Sequence, residues 1–154
     1  MTTAVPASSE DANLDAACTA VAAEVARTDS KASLLLAFNG AVLAGLATIV
    51  DTGLPSVAKA VGAAAVLALA AAAVLLLLVV RPRMRGTTDR ASFPYWARLD
   101  EDAIRASMRG DTRPARIRVL STIAMRKYSQ LRLAVDLSLA ALALLVVAAA
   151  SVLV

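Results

Sequence analysis

"RTDSKASLLLAFNGAVLAGLATIV", residues 27–50, passes from the charged Arg27, Asp29 and Lys31 straight into an apolar run that holds one amide, Asn39. A hydrocarbon core needs about 20 apolar residues, and the stretch from 32 to 50 is close to that length. Two further stretches, 60–80 and 134–154, have the same character. The whole chain agrees: 154 residues with 59 % hydrophobic content and only 3 % aromatic residues, at a mean hydropathy of +0.69, is too apolar for a soluble domain of this size. The expected fold is an all-α integral membrane protein. Three transmembrane helices, a hairpin plus a third, carry cytoplasmic helical extensions.

The organisation follows from breaks and charge. Residues 1–31 form an acidic leader ("SSEDANLDAAC") without the basic start of a secretory signal, so the first apolar run is expected to stay in the membrane. Residues 32–80 form the hairpin, because "DTGLPSVAK" between the first two runs contains Gly53 and Pro55 and leaves room only for a turn. Residues 81–133 form a basic loop, and 134–154 the third span. From Arg81 to Arg132 lie thirteen of the sixteen Lys and Arg residues. Basic loops stay cytoplasmic, which puts the amino terminus inside and the carboxyl terminus outside a multi-pass cell-membrane protein.

The leader reads as helix from about Glu10 to Ser30, with Leu14, Cys18, Val21 and Val25 at three- and four-residue steps, feeding into the first span. Within the loop, "RPRMRGTTDR" (81–90) suits a topology signal and headgroup contact. "SFPYWARLDEDAIRASMRG" (92–110) carries Phe93, Tyr95 and Trp96 and predicts a short helix. Those rings suit an interfacial belt, with base stacking as the alternative. Past "GDT", Pro114 marks a helix start capped by Asp111 or Thr112. That helix predicts a stripe of Ile117, Leu120, Ala124, Tyr128 and Leu131 and continues into the third span. The acidic leader and the basic stretch from Arg113 to Arg132 are then complementary partners.

Asn39 lies too deep for easy access to water; it suits an interhelical hydrogen bond, or a pore-lining or ligand role. Gly40 and Gly45 after it are expected to permit close backbone approach. Asp136 opens the third span, where a carboxylate is costly unless paired or wet. Arg27, Lys31, Arg126, Lys127 and Arg132 flank the membrane at the cytoplasmic ends of the first and third spans. They serve as snorkelling anchors and ion pairs, or as an anion pocket in which Tyr128 offers a stacking face.

Several chemistries lack their parts. The chain has no histidine and one cysteine, Cys18, so no metal site or disulfide framework is expected. It has no Gly-rich phosphate loop and no nucleophile beside a base, so no enzyme activity and no cofactor are expected. The basic loop is accounted for by topology, and nucleic acid is not an expected partner.

The residues resemble a known family. "RTDSKASLLLAFNG", a helical hairpin, a basic loop and "LSTIAMRKYSQLRLA" before a last span are similar to the transmembrane effectors of Pycsar, the bacterial pyrimidine-cyclase antiphage system. The matching positions are Asp29, Lys31, Ala32, Leu35, Phe38, Asn39 and Gly40, then Ala124, Lys127, Tyr128 and Arg132, and the resemblance spans roughly residues 15 to 154. It implies an effector that responds to cyclic CMP or cyclic UMP made by a separate cyclase. It then impairs the membrane, so that an infected cell dies before phage spread. Arg27, Asp29, Lys31, Arg126, Lys127, Tyr128 and Arg132 become candidates for ligand binding or gating, with Asn39 and Asp136 as intramembrane polar residues. Three helices cannot enclose a pore, so a homo-oligomer in contact with membrane lipid is expected. Two other readings stand beside it: a passive anchor or assembly protein docking a cytoplasmic partner, and a constitutive holin-like pore.

Overall fold

A computed structural model of the chain describes residues 9–48, 53–81, 93–107 and 109–153. Helix accounts for 90 % of the described residues, with no strand among them. The elements are α1 (Ser9–Ala47), α2 (Ser56–Val80), α3 (Phe93–Trp96), α4 (Glu101–Ser107) and α5 (Arg113–Leu153). Three of them, α1, α2 and α5, are long and apolar enough to cross a membrane. The chain is thus an all-α, multi-pass membrane protein. The expectations for "RPRMRGTTDR" beyond Arg81 and for the Phe93 side chain lie outside the described residues.

The helix ends follow local chemistry. Past Ala47, the Thr48 hydroxyl and amide both donate to Gly45 O, at 2.7 and 3.2 Å, and close the last turn of α1. Pro55 precedes α2, where a missing N–H costs nothing. At the other end, Arg81 donates its N–H to Leu77 O at 2.9 Å and turns to an extended ψ of 123°, the conformation imposed on a residue that precedes proline. The start of α5 matches its predicted caps: Asp111 Oδ1 accepts the Arg113 N–H at 3.0 Å, and Pro114 falls in the first turn. Thr122, Ser129, Ser138 and Ser151 donate back to carbonyls three or four residues earlier, which satisfies these hydroxyls within α5.

The chain divides into two compact units. One joins Met1–Arg27 with Pro82–Met125 and contains α3, α4 and the first parts of α1 and α5. Its ordering groups converge on Arg113. That guanidinium donates to Asp111 Oδ1 at 3.0 Å, to Asp15 Oδ1 at 3.1 Å and to Asp11 Oδ1. Nearby, the Cys18 thiol lies 3.8 Å from Arg113 O. The acidic leader and the start of α5 are thereby held together, through residues of opposite charge. Asp100 Oδ1 accepts the Ala103 N–H at 2.7 Å and caps α4.

The other unit joins Thr28–Arg81 with Arg126–Val154 and holds the apolar parts of α1, α2 and α5. Ala32, Leu76, Val79, Leu131 and Ala134 form its buried cluster, with Leu35, Leu36 and Leu75 packed on it. At the opposite end of these helices, Leu46, Ala58, Gly62, Leu145, Ala148 and Val152 line one cavity. These two groupings fix the directions: α1 and α5 run parallel, and α2 runs against both, as a hairpin requires.

Buried positions recur at seven-residue intervals divided three and four: Ala58, Ala65, Leu69, Ala72, Leu76 and Val79 on α2, and Leu131, Ala134, Ser138 and Ala141 on α5. Such a repeat is that of helices packed with a slight left-handed supercoil. Alanine dominates it, because in lipid small residues let helices approach closely enough to gain dispersion contacts. Within the chain no described neighbour makes the close approach that Gly40 and Gly45 permit: both are exposed, and a Cβ placed on either would meet nothing within 4 Å. Close packing within the chain belongs to the alanines of α2 and α5.

Candidate functional site

Asp29 and Lys127 join α1 to α5 where each helix changes from polar to apolar. Lys127 Nζ donates to Asp29 Oδ1 at 2.5 Å. The Lys127 side chain is 13 % exposed and that of Asp29 36 %, so the pair is shielded chiefly on the lysine side. Thr28, one residue before Asp29, is buried. A carboxylate on one helix and an ammonium on its parallel neighbour define a contact that an incoming anion could break by competing with Asp29 for Lys127.

Further along the same two helices lies a second polar contact. Asn39 is fully buried, and its Nδ2 donates to Ser138 Oγ at 2.9 Å, while Ser138 donates to Ala134 O at 2.9 Å. Asn39 Oδ1 and Gln130 Oε1 are buried acceptors without a hydrogen-bond donor. The amide was recognisable in the sequence, but its partner was not named. The available signal was register, because Ser138 continues the spacing of Leu131 and Ala134.

The remaining predicted residues separate. Lys31, Arg126 and Arg132 are exposed on their helices, as is Asp136 on α5. Arg27 is exposed and pairs with Glu24 at 3.3 Å, three residues back on α1, a surface contact of small energetic weight. Tyr128 was expected on the inward stripe of α5, and this is corrected: it is 36 % exposed, and Lys127 takes the position between Ala124 and Leu131. The helix can place a lysine there because Asp29 meets it.

The residues absent from the expected site are Arg113 and its carboxylates. The side-chain hydrogen bond to Arg113 is the chief cause that holds Asp111 below the usual carboxylate range. Hydrogen bonds to Asp111 first, then Asp11 and Asp15, raise Arg113 above its already high ordinary value. The Asp111–Arg113 pair is therefore held in its charged form. Among the described residues no cluster of His, Cys, Asp or Glu is placed to hold a metal ion.

A family model described as the Pycsar effector protein domain matches residues 13–154 of the chain. None of the curated proteins and none of the solved structures matches it. The match covers both units, and the chain belongs to the Pycsar effector family: its role is that of an effector in antiphage defence.

Proposed function

We propose that this Pycsar effector responds to a cyclic pyrimidine nucleotide, cyclic CMP or cyclic UMP, by impairing the membrane as an oligomer. Family membership supports the setting. The observation that carries the mechanism is the Asp29–Lys127 pair, a shielded charge contact between two parallel spanning helices. The nucleotide's cyclic phosphate competes with Asp29 for Lys127, and the exposed Lys31, Arg126 and Arg132 add positive potential around that point. Tyr128, beside Lys127 in sequence and partly exposed, offers a ring to the base. Loss of the Asp29 contact releases α1 from α5 at that level, and Asn39, with its open acceptor, changes partner as the helices shift.

In this reading the amino terminus and the basic loop lie in the cytoplasm, where a cyclase releases its product, and the carboxyl terminus lies outside. Several chains must associate to open a path through the bilayer. Calorimetry on the detergent-purified protein with cyclic CMP, cyclic UMP, cyclic AMP and cyclic GMP tests the ligand. Selective binding of a pyrimidine nucleotide, abolished in Lys127→Ala, is the expected result. Equal binding by wild type and Lys127→Ala would move the sensor elsewhere. No binding to a folded protein would favour the passive anchor or the constitutive pore.

A further inference from the structure

In the structure, α5 has a second charged and periodic face, turned away from α1 and α2. Arg132, Asp136, Leu139, Ala143, Val146 and Ala150 are all exposed, and they repeat at steps of four and three. Leu139 is 59 % and Val146 69 % exposed. The buried stripe of Leu131, Ala134, Ser138 and Ala141 follows the same period on the other side of the helix. Both sides of α5 thus carry the seven-residue pattern of a packed seam, with only one side occupied among the described residues.

The charges decide what the outer seam meets. Leu131 and Ala134 cluster with Leu76 and Val79 near the end of α2, which Arg81 caps. Arg132 lies at that level, and Asp136 lies one turn deeper, about 6 Å along the axis at 1.5 Å per residue. A carboxylate facing lipid at that depth is unfavourable unless it meets a cation or water. No ion pair joins Asp136 to Arg132 in the chain, although the two share a face. Anionic headgroups would suit Arg132 and repel Asp136. A second copy, aligned parallel and packed on the same face, brings each Asp136 opposite the neighbour's Arg132 and each Arg132 opposite the neighbour's Asp136. Self-complementarity of this kind is what a two-fold contact requires. Beyond the charges, Leu139 and Val146 alternate with Ala143 and Ala150, so that large side chains meet small ones across the seam.

We propose that the Arg132–Ala150 face of α5 is the contact between copies of this chain in the membrane, registered by reciprocal Arg132–Asp136 ion pairs. It rests on the reading above only in assuming that copies associate; it does not depend on which ligand is bound.

The test uses the full chain in lipid vesicles, in a Cys18→Ser background, with single cysteines introduced by Leu139→Cys or Val146→Cys. Val74→Cys, at an exposed position of α2, is the control. Oxidation is expected to cross-link the two α5 variants to dimers and to leave the α2 variant monomeric. Arg132→Glu or Asp136→Arg, added to Leu139→Cys, is expected to lower the cross-linked fraction at least fivefold, and the two reversals together to restore it. Helicity by circular dichroism shows that each variant is folded. Cross-linking through Val74→Cys alone would overturn this interface while leaving an oligomeric effector in place. Absence of any cross-link would overturn the interface and the oligomer together. Reversals without effect would leave Asp136 to water and would equally sink the proposal.

Discussion

Lys127 of α5 donates to Asp29 of α1 at 2.5 Å, with the lysine shielded and the carboxylate partly open. Two parallel helices entering the apolar region are thus pinned by opposite charges. Between the values typical of exposed and buried pairs, Lys127→Ala is expected to destabilise the fold by about 2 kcal/mol. Unfolding in mixed micelles measures this. The exchange of both groups, Asp29→Lys with Lys127→Asp, should recover most of the loss, whereas a lysine acting only through its hydrocarbon stem would show no recovery.

Asn39 and Ser138 form the second pin. Interhelical hydrogen bonds in membranes contribute about 0.6 kcal/mol on average and up to about 1.7. Asn39→Ala and Ser138→Ala should each cost about 1 kcal/mol. Combined, they should cost less than the sum, since the first removes the bond that the second would break. Additive effects would mean that the two side chains act separately.

The expected fold came through because hydropathy and charge act over long stretches. Three apolar runs and a basic loop survive any error of one residue. The leader's Leu14, Cys18, Val21 and Val25, all half-buried, were readable for the same reason. Single positions were harder. Tyr128 looked like the inward residue and Lys127 like a membrane-flanking anchor, ion pair or anion ligand without an assigned partner, because a stripe of apolar residues is drawn without knowing that Asp29 waits across the interface. Helix periodicity separates neighbours by about 100°, and the choice between them rests on a tertiary partner. Gly40 and Gly45 illustrate a related limit: a small residue permits close approach, but only a neighbour makes it, and within the chain none does. The Arg113 knot was hidden in a stretch read as uniformly basic, although the leader's complementary charge pointed to it.

Glycine on the exposed side of α1 gives a direct check. Because a Cβ at Gly40 or Gly45 meets nothing within 4 Å, Gly40→Ala and Gly45→Ala should leave the fold intact. Each should stabilise α1 by up to about 1 kcal/mol, from the lower helix propensity of glycine. Loss of thermal stability in either variant would mean that this face is packed within the chain.

The knot at Arg113 predicts an acid dependence. Asp111 is held below its ordinary value of 3.8 by its hydrogen bonds to Arg113. A depressed carboxylate stabilises the folded state above its unfolded value and loses that contribution as the pH falls through the folded value. Amide protection in the first turn of α5 should therefore persist to pH 4 and decline below it. In Asp111→Asn the decline attributable to this group should vanish; an unchanged profile would contradict the assignment to Asp111.

The central claim is that a cyclic pyrimidine nucleotide opens the membrane by displacing Asp29 from Lys127. Dye release from vesicles holding the purified protein, with nucleotide added outside, measures it most directly. Wild type should leak only with cyclic CMP or cyclic UMP. Lys127→Ala should not respond to nucleotide, and Asp29→Asn, which weakens the contact but keeps the cation, should respond at lower nucleotide concentrations. Leakage of the wild type without nucleotide, or an identical response in all three proteins, would contradict the account.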